Sequence, residues 1–275
     1  VSHSAPTADR PDENKVANAQ TRATIIAMEK IRLQKFCSEM GICSRRAAED
    51  LICQKKILIN GKVAILGDRV SGADKISVNG EIINAKKKPK KIFIAFHKPK
   101  NVESTCATME GVKTLDDFEF PARVFPIGRL DKDSRGLLLL TNDGEMSNRL
   151  AHPSFGHEKE YIVTVDKMVT GAVLKKIELG IVLEDDKISY SKTGRSRSKV
   201  IKRTLPCQAE KIDDYVFKLL LKEGRNRQIR RMCEAVGLNV IDLLRVRVEN
   251  IFLGELPVGK FRILSEAEVR AIGKK

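Results

Sequence analysis

Four consecutive leucines, Leu137 to Leu140, sit between Gly136 and the turn-forming stretch Thr141-Asn142-Asp143-Gly144. A continuous apolar run this short, closed by Asn-Asp-Gly, reads as a buried strand. Just before it lies "GRLDKDSR", Gly128 to Arg135, a polar loop that carries Asp131 and Asp133. A side chain on a short loop tied to a buried strand is held still, which is what a reactive group requires. From residue type alone, either carboxylate could be a nucleophile, a base, a metal ligand or a turn residue.

The surrounding pattern places that strand in an α+β domain. "IFIAFHK", "KEYIVTVDK", "YVFKLLLKEG" and "LNVIDLLRVRVENIFLG" read as strands. "GEMSNRLAHP", stopped by Pro153, "GAVLKKIELGI" and "NRQIRRMCEAVG" read as short helices. Strands and helices interleaved with short links predict a largely antiparallel mixed sheet over residues 92–275. Upstream, residues 29–84 form a smaller α/β unit. Ile31, Leu33, Phe36 and Met40 supply the apolar set of a first helix ending at Gly41, and Ser44 caps a second helix with Ala47, Ala48, Leu51 and Ile52 inward. Short strands follow around Asn-Gly turns. Residues 85–91, "AKKKPKK", read as a basic linker, and residues 1–28 as a disordered polar tail.

Lys and Arg number 51 against 36 Asp and Glu, a net charge of +15, which points to a polyanionic partner and above all to nucleic acid. No apolar run reaches the ~18 residues of a membrane helix, and no signal-peptide core is present. The six cysteines form no CxxC pair and no Cys/His cluster, so they are read as reduced thiols in a cytoplasmic protein without zinc.

In the helix "RNRQIRRMCEAVG", Ile229, Met232, Cys233 and Val236 share a face, with Arg227, Arg230 and Arg231 opposite. Such a basic face is often merely solvated. "SKTGRSRSKVIKR" adds Lys192, Arg195, Arg197, Lys199, Lys202 and Arg203 without helical spacing, and reads either as a loop and strand with a phosphate-binding surface or as a flexible loop without contact. Aromatic residues make up only 5% and Trp is absent, which argues against stacking many bases in a row. Reading RNA shape and phosphates, then handling one extruded base, fits better. His97 and His157 lie near strand ends without a nucleophile pattern and are read as structural.

At this point "FPIGRLDKDSRGLLLLTNDG", with "HKP", "KEYIVTVD" and "EGRNRQIRRM" in order, resembles the bacterial ribosomal RNA pseudouridine synthases of the RsuA/RluB/RluE/RluF family. Within it, "GICSRR", "RVFPIGRLDKDS" and "NRQIRRMCE" are closest to the large-subunit RluF type. "RLQKF", "GICSRRAAEDLI" and "ILING" resemble an S4 RNA-binding domain. The resemblance spans about residues 30–270. It implies that Asp131 is the catalytic aspartate, that Tyr161 stacks on the target base and that Arg230 pairs with the aspartate. Arg129 would help fill the space left by the extruded nucleotide, and Leu243 would line the pocket. Arg45, Arg46 and Lys55 of the small unit, with Lys98, Arg227 and Arg231, would contact RNA. Asp133 is expected to face away as a turn or cap residue. Three positions depart from the family pattern: Asn101 stands where Gly is usual, and is expected to keep the turn by adopting positive φ, Glu103 replaces a usual apolar residue, and "CQKKILING" lacks a Gly before its strand.

The reaction implied is isomerisation of uridine to pseudouridine in ribosomal RNA, 23S rather than 16S, by base flipping and an Asp nucleophile. It needs no cofactor and no metal. The partner is ribosomal RNA, with no membrane, and the protein is expected to be a monomer. The alternative is a non-catalytic rRNA-binding or ribosome-assembly protein, which would have no use for Asp131, Tyr161 and Arg230 together. An Asp-dependent phosphodiesterase would want clustered carboxylates for metal ions, and Asp131, Asp133 and Asp143 lie in a row instead.

Overall fold

The computed structural model describes residues 30–84, 88–151, 156–191 and 194–272. The expected tail, part of the lysine linker, Pro153 and Lys192 lie outside them, as do the side chains of Arg195 and Arg197. The chain divides into two compact units between Lys90 and Lys91.

In the first unit the order is β1 (Ile31–Arg32), α1 (Leu33–Glu39), α2 (Arg45–Cys53), β2 (Ile57–Ile59), β3 (Lys62–Val63), β4 (Arg69–Val70), β5 (Ile76–Val78) and β6 (Glu81–Ile83). The sheet runs β3-β2-β5-β6, while β1 pairs with β4. Leu33, Phe36 and Cys37 of α1 and Ala48 and Ile52 of α2 pack on Ile57, Ile76 and Val78 to make the core. Ser44 caps α2 as the sequence predicts, its Oγ accepting from the Ala47 N–H at 3.1 Å. Both Asn-Gly pairs hold positive φ at both residues, the hairpin geometry that Asn and Gly tolerate best. Lys55, where the family pattern has Gly before the strand, takes φ 57° itself.

The second unit contains β7 (Phe93–Lys98), β8 (Phe125–Pro126), β9 (Arg135–Thr141), α3 (Gly144–Ala151), β10 (Lys159–Val165), α4 (Gly171–Glu178), β11 (Val182–Ser191), β12 (Gly194–Arg203), β13 (Gln208–Asp213), β14 (Val216–Leu221), α5 (Gln228–Ala235), β15 (Val240–Val248), β16 (Ile251–Phe252), β17 (Phe261–Ile263) and α6 (Glu266–Ile272). A nine-stranded sheet follows the path β13-β14-β10-β15-β9-β7-β17, with β16 on β15 and β8 on β9. Its pairings are antiparallel except β15 with β9, which is parallel.

Each face of this sheet is covered, which explains the unbroken leucine run. Leu138 and Leu140 join Ile94, Phe96, Val163 and Phe217 under α4 and α5. Leu137 and Leu139 join Phe93, Ala95 and Val248 under α3 and α6. Alternation along a strand therefore buries all four leucines, two on each side.

The strand expected within "SKTGRSRSKVIKR" is present. Gly194–Arg203 is one ten-residue strand paired along its length with β11, as a two-stranded ribbon outside the main sheet. Its pairing partner lies immediately upstream.

One contact fixes the centre of the sheet. Gly136 on β9 lies beside Arg245 on β15, and a Cβ built on it would sit 2.3 Å from the Arg245 carbonyl oxygen and 2.6 Å from its nitrogen. Its φ of 112° is also a value that L side chains avoid. Gly136→Ala is therefore expected to lose about 3 kcal/mol of stability or more. Urea unfolding of the two proteins measures it, with Leu139→Ala as a control for ordinary core loss.

Candidate active site

Asp131 occupies a turn whose neighbours are pinned from several directions. Leu130 before it is buried, its N–H donating to Ser104 Oγ at 3.1 Å and its carbonyl accepting from the same hydroxyl at 2.6 Å. The Ser134 N–H donates to the Asp131 carbonyl at 3.1 Å. The Lys132 carbonyl accepts from the Asn101 N–H at 2.7 Å. Asn101 holds φ 63°, the positive value expected of it in place of Gly. The carboxylate is thus presented by a loop whose backbone has little freedom, as a reacting group needs.

Lys98 is a correction. Expected to contact RNA, it is 0% exposed. Its Nζ donates to the carbonyls of Pro99 and Val102, each at 2.8 Å, and to that of Lys132 at 3.5 Å. Strand alternation explains this: Lys98 ends a strand in which every residue is buried, so its side chain turns into the protein. Burial pushes its pKa down to about 8, against the opposing pull of Glu103, Asp133 and Asp131. The residue ties the loop after β7 to the Asp131 turn.

Asp131, Arg129, Tyr161, Leu243 and Arg230 all line a single cavity of about 340 Å³. That volume is at the small end of ligand pockets, roughly 300–1,000 Å³. Tyr161 comes from β10 and is 8% exposed. The register of β10 against β15 slips between Glu160 and Tyr161, with the extra residue, Val246, on β15, while β10 keeps its regular alternation against β14. Leu243 comes from β15, opposite Val163. Arg129 is exposed at the rim, and its carbonyl accepts weakly from Arg245 Nη1 at 3.5 Å.

The arginines are arranged differently from the expected pairing. Arg230 Nε lies 3.2 Å from Asp133 Oδ2, and its Nη2 donates to the Asp133 carbonyl at 3.1 Å. Its Nη1 donates to the Val240 carbonyl at 3.1 Å. Arg227 makes two bonds of 3.1 Å to the Asp133 carboxylate. Asp131 forms no ion pair among the described residues. Asp133 is therefore the carboxylate that holds both arginines, not one that faces away. Burial raises its pKa, but the Arg227 hydrogen bonds and the two positive charges outweigh that and leave it below the usual carboxylate range. Arg227 precedes α5 at φ 47°, so the helix starts later than Asn226 and its first arginine is turned towards the Asp131 loop.

Arg231 also has a partner within the chain. It donates to Asp185 Oδ1 at 2.8 Å and to the carbonyl of Glu184, and Arg225 grips the other oxygen of Asp185. Asp185 thereby clamps the base of the β11–β12 ribbon to the start of α5. On the opposite side, Asp242 Oδ2 accepts two hydrogen bonds from Arg135, at 3.1 and 2.8 Å, and Oδ1 pairs with Lys100 at 2.6 Å.

Arg45, Arg46 and Lys55 are exposed on the first unit, where they are free of structural burial. His97 and His157 are buried and bonded to the Leu256 carbonyl and to Glu249, at 2.7 and 3.1 Å. Sequence reasoning missed three wall or anchor residues: Asp185, Arg245 and Lys159. For Lys159 a signal existed. It stands two residues before Tyr161 on a strand, hence on the same face.

Over residues 92–235 the chain matches the family described as RNA pseudouridylate synthase, and over residues 31–76 the S4 domain. It is 39% identical over 239 residues to the dual-specificity RNA pseudouridine synthase RluF of Escherichia coli (strain K12), covering 87% of this chain and 77% of that protein. It is also 39% identical over 244 residues to the ribosomal large subunit pseudouridine synthase B of Bacillus subtilis (strain 168), covering 88% and 95%. A crystal structure described as pseudouridylate synthase superposes with a TM-score of 0.59 at 29% identity, covering 88% of this chain and 99% of that one.

Replacing Lys98 with Met keeps the length of the side chain and removes its N–H donors. The buried carbonyls of Pro99 and Val102 then lose their partner, and Lys98→Met is expected to unfold with about 2 kcal/mol less stability. Denaturant titration gives the number; an unchanged midpoint would mean that the ammonium does not hold this loop.

Proposed function

Because the chain belongs to the RNA pseudouridylate synthase family, with an S4 domain ahead of the catalytic one, we propose that it isomerises particular uridines to pseudouridine in ribosomal RNA, and in 23S rather than 16S RNA. The observation that carries this reading is the shared cavity: Asp131, Tyr161, Leu243, Arg129 and Arg230 meet on its wall from the loop before β9, from β10, from β15 and from α5.

The chemistry follows from those groups. The target base leaves its stack, which costs a few kcal/mol and favours loops or weak helices. Arg129, at the rim, occupies the vacated space. Tyr161 offers a flat face to the uracil and Leu243 closes the other side of a small apolar slot. Asp131, ionised, attacks either the ribose C1′ or the uracil ring. Arg230 and Arg227, ordered by Asp133, supply positive charge beside the nucleophile without neutralising it. The base turns and rejoins the sugar through carbon, so substrate and product are isomers and no cofactor or metal is consumed.

Arg45, Arg46 and Lys55 grip phosphates from the first unit, and Arg227 and Arg231 add to the basic surface of the second. The protein works as a cytoplasmic monomer. No helix among the described residues is long and apolar enough to cross a membrane.

The decisive variant is Asp131→Asn, which keeps size and removes charge. It is expected to lose tritium release from 5-labelled uridine in rRNA by at least about 10³-fold, with RNA affinity unchanged; substantial turnover would move the nucleophile elsewhere. Arg45→Ala with Arg46→Ala should weaken rRNA binding at every site. It should also lower the slope of log affinity against log salt by about one for each phosphate no longer neutralised, as filter binding at several salt concentrations would read.

A further inference from the structure

Lys159 is a cation on the cavity wall that the reaction, as described above, does not use. It lies on β10 two residues before Tyr161, so both side chains rise from the same face of the strand. Its ammonium has three N–H groups, and the structure gives it one acceptor, the His157 carbonyl at 3.1 Å. It has no ion-pair partner among the described residues.

The carboxylates around it are committed elsewhere. Glu249, in the turn after β15, accepts from the Glu158 N–H at 2.7 Å and faces His157 Nδ1 at 3.1 Å. Glu158 and Glu160 face Arg247, at 3.5 and 3.0 Å, and Glu158 also faces Lys222 at 3.7 Å. Glu223, on the cavity wall, accepts from the Leu205 N–H at 2.9 Å and from Gln228 Nε2 at 2.7 Å. Arg245, on β15 opposite Tyr161, is 3% exposed, lines the same cavity and has no carboxylate partner among the described residues either. Its Nε donates to the Leu137 carbonyl at 2.7 Å. Two cations share this wall with no ion-pair partner among the described residues, and the wall's Asp131 carboxylate is the nucleophile of the proposed reaction, so the ammonium is left open to an acceptor on the incoming base.

We propose that Lys159 is an electrostatic catalytic residue: its ammonium donates a hydrogen bond to a carbonyl oxygen of the extruded uracil and stabilises the negative charge that develops there, with Arg245 behind it. The inference rests on the function proposed above. When the C1′–N1 bond breaks, its electron pair passes to the uracil and spreads over N1 and the carbonyl oxygens. If the carboxylate adds to the ring first, the pair it displaces also resides on a carbonyl oxygen. On either route Lys159 keeps its proton. The later C1′–C5 bond uses the uracil's electrons; the bond between Asp131 and C1′, or between Asp131 and the ring, breaks and its electron pair returns to the carboxylate, C5 loses its proton to water and N1 gains one. A donor aimed where charge appears only during reaction lowers the barrier more than it tightens binding.

Burial, then the charge of Arg245, hold the Lys159 pKa down at about 8, against the opposing pull of Glu249. The charged form is complete below that value and is lost as the pH rises through it. Three proteins, the parent, Lys159→Met and Lys159→Arg, are compared in single-turnover tritium release from an in vitro 23S rRNA transcript labelled at uracil C5, from about pH 6.5 to about pH 9.5. RNA affinity and thermal unfolding are measured alongside. Lys159→Met is expected to be slower by about 10²-fold at neutral pH, with affinity within about two-fold. Lys159→Arg should restore most of the rate and hold it above about pH 8, where the parent declines. Full rate in Lys159→Met overturns the inference. So does a loss seen only in affinity, which would make Lys159 a phosphate contact. Should Lys159→Met fail to fold, the ratio of the Lys159→Arg and parent rates still decides: a ratio constant across the pH range overturns the inference. A parent that releases no tritium at any pH refutes the proposed function itself, which is a separate result.

Discussion

The cavity exists because β9 and β15 run side by side in the same direction with almost nothing between them. Gly136 makes that approach possible: no other side chain fits against the Arg245 backbone. The pairing sets Arg135 opposite Leu244 and Gly136 opposite Arg245. It therefore brings the loop before β9, with Asp131, next to the strand that carries Leu243 and Arg245. β15 in turn pairs with β10, which carries Tyr161 and Lys159. Residues more than a hundred positions apart meet because two strands touch, and the leucines of β9, buried on both faces, keep that strand from shifting.

A carboxylate set among so many arginines would ordinarily be neutralised by them. Here other acids take up the arginines first. Asp133 holds Arg227 and Arg230, Asp185 holds Arg225 and Arg231, and Asp242 holds Arg135. Each of these acids sits below the usual carboxylate range because its arginine bonds outweigh its burial. The consequence is geometric. The guanidinium groups are fixed in place by permanent partners, while Asp131 stays without one among the described residues. A nucleophile locked in a bidentate ion pair would have to break it before attacking, at a cost of several kcal/mol for a partly buried pair.

The elements are largely legible in the sequence because their patterns are local. The leucine run, the Ser44 cap, the Asn-Gly turns and the alternation in "KEYIVTVD" each follow from a few adjacent residues. The identity of the wall residues Asp131, Tyr161 and Leu243 comes from motif resemblance, since nothing in spacing alone distinguishes Asp131 from Asp133. Pairing across the sheet cannot be read in that way. Whether Arg230 meets Asp131 or Asp133 depends on the φ of 47° at Arg227, which turns the start of α5. Lys98 defies its sequence reading because a lysine at a strand end is normally exposed; only the carbonyls of two separate loops, converging on its amine, make burial tolerable. Of the ribbon, only β11 escapes notice, because its run of charges from Glu184 to Lys187 masks the strand alternation.

Lys98, buried, and Lys159, half-buried on the cavity wall, show how position decides what the same chemical group can do. Lys98 and Lys159 are both held down to a pKa of about 8 by burial. Lys98 spends its N–H groups on three carbonyls of its own chain, at 2.8, 2.8 and 3.5 Å, so nothing is left for a ligand and its effect is mechanical. Lys159 spends one, and opens on the cavity. A saturated ammonium fixes a loop. An unsaturated one in a desolvated pocket is held in a state that only an incoming acceptor improves, and the acceptor that improves it most is the one gaining negative charge.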